Sequence, residues 1–144
     1  MSNAGFLFDV NVLVAFTDLN HIHHRLVREW FFQRGDASWG TCAITEAGFL
    51  RVTTREKTGG LTLAQASELL QQLAARPGYR NWPITESWAL LTAPFAARIF
   101  GHQQITVAYL LGLVIKENGV LVTLDNAVNF IAGPQYRHHL LVLE

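Results

Sequence analysis

The sequence predicts a three-layer α/β/α domain built on a central parallel sheet. Three observations carry this. Short, mainly apolar runs recur at 5–10, 37–42, 120–124 and 139–144. Such runs suit strands buried on both faces. Longer segments with helical periodicity separate them, the order that builds βαβ units. Finally, 144 residues, half of them hydrophobic and only 15% charged, fit one domain (1–144) with a substantial core.

Taken in order, GFLFDV (5–10) is a buried strand that ends in an acid. NVLVAFTD continues as a short helix. HIHHRLVREWFFQRG (21–35) sets Ile22, Leu26, Trp30 and Phe31 on one face, and Gly35 closes it. ASWGTC (37–42) is a second strand. TEAGFLRVTT starts a helix with Thr45 as N-cap and Glu46 in its first turn. LTLAQASELLQQLAAR (61–76) is a helix capped by Thr62 and stopped by Pro77-Gly78. NWPI (81–84) is a short strand, and ESWALLTAPFAARIF (86–100) is helical with an interruption at Pro94. The helix of 103–118 ends at Asn118-Gly119, a left-handed stop signal. VLVTL (120–124) and HLLVLE (139–144) complete the sheet. No repeat, low-complexity tract or linker interrupts the chain.

Composition narrows the function classes. Eleven basic and eleven acidic residues give a formal net charge of zero. Tight non-specific nucleic-acid binding through bulk charge is therefore not expected, although a local basic patch remains open. The single cysteine, Cys42, reads as a buried small hydrophobe in a reducing compartment. Residues 105–115 are too short for a membrane span and run into Lys116 and Glu117. No basic-then-apolar segment opens the chain, so the expected location is the cytoplasm. The opening Ser2, Asn3 and Ala4 carry no functional assignment.

In a parallel α/β sheet, ligands bind outside the carboxyl ends of the strands. Asp9 and Asp125 each end an apolar run, and Glu46 follows the strand at 37–42. Three acids from distant segments thus reach one sheet edge. Converging acids repel unless a cation joins them. Oxygen donors without a His or Cys cluster suit Mg2+ or Mn2+. Such ions orient phosphates and lower the pKa of a bound water, so phosphodiester hydrolysis is the natural reaction. Singly, each acid has a structural use as a helix cap or first-turn charge. The set of three carries the metal reading.

Three blocks carry a family resemblance: FLFDVNVLVAFTDLNHIHH, WGTCAITEAGFLRV and HQQITVAYLLGLVIKENGVLVTLDNAV. In order and over nearly the whole chain, these resemble PIN domains, closest to the VapC-type toxins of bacterial toxin–antitoxin pairs. The stretch from 56 to 100 resembles them least. The resemblance implies a Mg2+- or Mn2+-dependent ribonuclease with catalytic metal ligands Asp9, Glu46 and Asp125. It also implies that Asn11 and Thr45 support the site by hydrogen bonds and that Thr106 stands beside it at a helix N-terminus. Members of the family usually carry an acid directly after that threonine. Here the position is Val107, which implies an impaired site. An RNA substrate, a cognate antitoxin and a homodimer follow from the same resemblance.

Other polar residues have two readings each. His21, His23 and His24 read as capping or surface residues rather than a metal cluster, since two are adjacent. His102 and Gln103 either cap the following helix or touch RNA phosphates. His138 and His139 read as surface residues. Arg25, Arg28, Arg51, Arg55 and Lys57 are candidates for RNA backbone contacts or ordinary solvated charges. Trp39 stands near the expected crevice mouth, where it could stack a base, while the other tryptophans read as core or interface. Val107 also favours a second class of function, a non-catalytic module of the same fold that binds RNA or a protein. A DNA-acting nuclease is the third reading.

Overall fold

The computed structural model describes residues 5–144; Ser2, Asn3 and Ala4 lie outside the described residues. Five parallel strands form one sheet: β1 (Phe6–Phe8), β2 (Trp39–Cys42), β3 (Tyr79–Trp82), β4 (Val120–Thr123) and β5 (Leu140–Val142). Their order across the sheet is β3-β2-β1-β4-β5. Among the described residues seven α-helices cover it: α1 (Val10–Thr17), α2 (His24–Gln33), α3 (Ala43–Thr54), α4 (Leu63–Ala74), α5 (Trp88–Thr92), α6 (Ile105–Glu117) and α7 (Val128–Tyr136). None of them is long and apolar enough to cross a membrane.

The apolar runs have the predicted cause. Side chains alternate across a strand. Leu7 and Leu121 point into a core shared with α5, α6 and α7, whereas Phe8 and Val122 point into a second core with α1 to α4. Both faces are buried, so both are mainly apolar, and the buried Thr41 and Thr123 each have a hydrogen-bond partner. Trp39 belongs to the second core: it is fully buried, stacks on Phe8 at 5.2 Å between centroids and donates its indole N–H to the Pro77 carbonyl at 3.1 Å. It is not at the crevice mouth and cannot stack a base. Cys42 is fully buried, and burial raises its thiol pKa, as fits a packing residue.

Several boundaries differ from the sequence reading, each for a local reason. Pro83 has no N–H for a ladder, so β3 runs from Tyr79 to Trp82 rather than over 81–84. The helix expected over 86–100 is α-helical only as α5, and a 3-10 turn follows from Ala93 with Pro94 in its first turn. A 3-10 turn over His102–Gln104 likewise precedes α6. Asn118 at φ 56° closes α6 as its sequence suggested. The helix α7 was not expected. Gly133 at φ +63° and Pro134 break its pattern and kink it. His139 is only 7% exposed and its Nδ1 donates to the Gly119 carbonyl at 2.8 Å, so it is a buried strut, not a surface residue.

The contact of α5 with α6 depends on Gly112. A Cβ there would lie 2.3 Å from the Leu91 carbonyl oxygen, a backbone atom that cannot swing aside. Gly112→Ala is expected to destabilise the protein by about 1–3 kcal/mol, outweighing the gain in helix propensity. A urea midpoint that falls with an unchanged slope would show this; an unchanged midpoint would mean the helices part freely.

The strand order also positions the site. From β1 the chain steps outward to β2 and β3, then returns to lay β4 and β5 on the other side of β1. The order reverses between β1 and β4. In open parallel sheets such a reversal leaves a crevice at the carboxyl ends of the two strands.

Candidate active site

A crevice of about 710 Å³ opens at that reversal. Asp9 follows β1 and Asp125 follows β4, and both line it. So do Asn11 from α1, Thr106 and Val107 from α6, and Arg51 from α3.

Asp9 is fixed by its surroundings. It N-caps α1, with Oδ1 accepting the Val10 N–H at 2.7 Å. Its Oδ2 accepts the Thr123 hydroxyl at 2.7 Å. Thr123 Oγ1 in turn accepts the Asn11 amide at 3.3 Å and the Asp125 N–H at 3.1 Å. Asn11 Oδ1 accepts the Leu124 N–H at 3.2 Å, and Asp125 Oδ1 accepts the Ala127 N–H at 2.9 Å. One fully buried threonine hydroxyl therefore ties both aspartates and Asn11 together. Sequence reading missed Thr123. The available signal was a hydroxyl inside an otherwise apolar strand, two residues before a strand-end acid.

Burial raises the Asp9 pKa above its ordinary value. The Thr123 and Val10 hydrogen bonds oppose this shift, and the Asp125 charge adds to it. Thr123→Val removes a donor to the Asp9 carboxylate and raises that pKa further. The variant is expected to lose about 1.5–3 kcal/mol at neutral pH, the usual size for a hydrogen bond to a charged group. The deficit should shrink as pH falls through the Asp9 pKa, because a protonated Asp9 needs the donor less. Urea titrations at several pH values test this; a deficit independent of pH would leave Thr123 as packing only.

The structure does not bring Glu46 to the same wall. Its Oε2 accepts the Thr41 hydroxyl at 2.8 Å, the Asn81 amide at 3.2 Å and the Tyr79 hydroxyl at 3.4 Å. Thr41 and Tyr79 are 2.7 Å apart. With Thr41 donating to Glu46, the single Tyr79 proton goes either to Thr41, a relay ending on the carboxylate, or directly to Glu46 at the longer distance. The expectation that three acids converge took no account of these donors from β2 and β3. Among the described residues no three His, Cys, Asp or Glu side chains gather closely enough to hold an ion.

Thr45 also lies elsewhere than expected. The helix α3 begins three residues earlier, with Cys42 as its N-cap, and the Thr45 hydroxyl accepts the Cys42 N–H at 2.9 Å and donates to the Cys42 carbonyl at 3.0 Å. It caps its own helix rather than supporting an acid. Val107 stands in the first turn of α6, half-buried, packed against the core on one side and lining the crevice on the other. Thr106 beside it is exposed. Of the histidines, His21 lines the crevice, with Nδ1 accepting the His23 N–H at 3.0 Å, while His24 Nδ1 donates to the Ala15 carbonyl at 2.8 Å.

The donors at the crevice suit a hard cation in part. Mg2+ commonly uses one or two carboxylates and completes its shell with water and substrate phosphate. Asp9 and Asp125 supply two carboxylates; burial is the main cause of the raised Asp9 pKa, and the Asp125 charge adds to it, a repulsion that a cation would relieve. Val107 supplies no donor.

No family model matches the chain. Curated relatives do. The chain is 39% identical over 128 residues to ribonuclease VapC38 of Mycobacterium tuberculosis (strain ATCC 25618 / H37Rv), covering 88% of this chain and 89% of that protein. It is 32% identical over 139 residues to ribonuclease VapC44 of Mycobacterium tuberculosis (strain CDC 1551 / Oshkosh), covering 95% and 98%. Among solved structures it is similar to Mycobacterium tuberculosis VapC20, a Sarcin-Ricin loop cleaving toxin. The TM-score is 0.61 at 9% identity, over 78% of this chain and 83% of that one. VapBC2 from Rickettsia felis, bound to a DNA fragment from their promoter, gives 0.58 at 16% identity over 96% and 98%. At such identities these two structures bear on the fold alone.

Proposed function

The chain belongs to the VapC ribonuclease family, and on that premise we propose that it is a toxin ribonuclease that hydrolyses RNA phosphodiester bonds, with Mg2+ or Mn2+, in the crevice between β1 and β4. One observation carries the reading. Two carboxylates, Asp9 and Asp125, leave adjacent strands at the topological reversal and share a hydrogen-bonded threonine, with Asp9 buried enough to have its pKa raised.

Asp9 and Asp125 would hold the cation, and Glu46 would join them only by leaving Thr41, Tyr79 and Asn81. The cation would supply a bound water of lowered pKa and positive charge beside the departing oxygen. The chain's own groups do the positioning. Val10 and Thr123 lock the Asp9 rotamer, and Asn11 braces Thr123 against the turn after β4. Gln103 and Thr106 edge the crevice at the N-terminal end of α6, where the positive end of the helix dipole favours a phosphate. Val107 leaves this wall apolar, so activity is expected to be weak and to need high divalent concentrations.

The reading includes a cytoplasmic homodimer with a cognate antitoxin as partner. Phe100 and Phe130, 71% and 59% exposed with rings 5.5 Å apart, form an apolar patch that suits such contacts. A second reading, a non-catalytic module that binds RNA or a protein, is favoured by Val107 and by the capture of Glu46 away from the crevice. Mn2+ titration and cleavage of matched RNA and DNA strands separate the readings. Metal binding with RNA cleavage supports the first. RNA binding without metal binding supports the second. Equal cleavage of DNA would move the substrate to DNA.

A further inference from the structure

The crevice has a second chemical character beyond its acidic end. The helix α3 lines it along its whole length through Ala43, Ala47 and Arg51, and Arg55, the residue that closes the helix, continues the line. These recur every fourth residue, and so lie on one face. Small side chains occupy the stripe nearest the sheet edge, and the two arginines occupy its outer half. Both arginines are exposed, and neither pairs with an acid among the described residues. Arg55 follows Arg51 by four positions, about 6 Å along the helix axis, at the point where α3 ends. That is comparable to the step between phosphates on an extended single strand.

The charge balance makes this pair matter. With zero net charge, the protein draws no RNA by its overall field. The acids repel a phosphate, so a strand seated there needs cations close by. On the ribonuclease reading above, we propose that Arg51 and Arg55 form a phosphate track. They bind two successive backbone phosphates on one side of the scissile bond and direct a single-stranded RNA from Asp9 and Asp125 outward along α3. The contacts are to the backbone, so they hold and align the strand without reading its bases. Arg51 and Arg55 are positioning residues.

The test measures binding apart from cleavage. A short fluorescent single-stranded RNA is titrated in EDTA with the parent, Arg51→Gln, Arg55→Gln and the double variant. Arg137→Gln, an exposed arginine away from the crevice, is the charge control. Each crevice substitution should weaken binding about threefold to tenfold and reduce the slope of log K against log salt by about 0.7. The double variant should lose about both amounts, with the control unchanged. Under divalent metal, KM should rise while kcat holds. If the variants keep the parent's affinity and salt slope, or if the parent binds no RNA in EDTA, the track is overturned. If the parent binds as described yet never cleaves, the track stands and the ribonuclease reading falls.

Discussion

Asp9→Asn is expected to reduce Mn2+ affinity and RNA cleavage by about a hundredfold or more, since even partners one step removed from a metal are worth 10–100-fold. The fold should survive. Asparagine caps a helix as well as aspartate does, so the Val10 N–H keeps its acceptor. The Thr123 hydroxyl already accepts from Asn11 and Asp125, so it cannot also accept from the new amide, and that one contact with position 9 is lost at a modest cost in stability. The variant also carries a signature of its own in stability against pH. The folded Asp9 pKa is raised, mainly by burial. The folded state therefore holds its proton more tightly than the unfolded chain does. The resulting stability is fully present below the unfolded pKa and is lost as pH rises through the folded one. Relative to Asp9→Asn, the metal-free parent should become less stable over that rise, and saturating Mn2+ should restore it. If Asp9→Asn unfolds the protein while metal affinity stays put, the carboxylate is a cap and nothing more.

The sheet was legible because its chemistry is one-dimensional. A strand covered on both faces is apolar at nearly every position, and Leu7, Phe8, Leu121 and Val122 announce this without knowledge of their neighbours. Placing Asp9 and Asp125 at one edge needed only the parallel topology. What resisted reading were the side-chain directions. Glu46 sits on the expected helix near the expected edge, but β3 lies beside β2 and offers it Tyr79 and Asn81. Those donors come from the part of the sequence whose elements were hardest to delimit. Thr45 looked like an N-cap, but the helix begins at Ala43, which makes it the third helical residue with a backbone partner one turn back. Thr123 was hidden by its setting, as a hydroxyl at the buried end of an otherwise apolar strand. The helix α7 was hidden by Gly133-Pro134, a pair that ordinarily ends a helix but here only bends one.

Val107→Asp should move the protein the opposite way from Asp9→Asn. Residue 107 lies in the first turn of α6 and lines the same crevice as Asp9 and Asp125. An acid there adds a third carboxylate to the crevice wall, and a hard cation gains an oxygen ligand where it now meets methyl groups. Mn2+ affinity should rise about tenfold or more, since a ligand matters at least as much as its orienting partner. The divalent concentration needed for RNA cleavage should fall in step. The change carries a cost in the metal-free state. Val107 packs against the core on its inner side, and the new charge shares its crevice with Asp9 and Asp125. The metal-free variant should be about 1–3 kcal/mol less stable at neutral pH. Saturation at a hundred times Kd should return about 2.7 kcal/mol. Melting with and without Mn2+ therefore reports on the site without a substrate. The double variant Asp9→Asn, Val107→Asp serves as the blank, because it has the new acid without the old one. If Val107→Asp loses stability and gains neither metal affinity nor cleavage, the missing ligand is not what limits this crevice. The non-catalytic binding module then becomes the better reading.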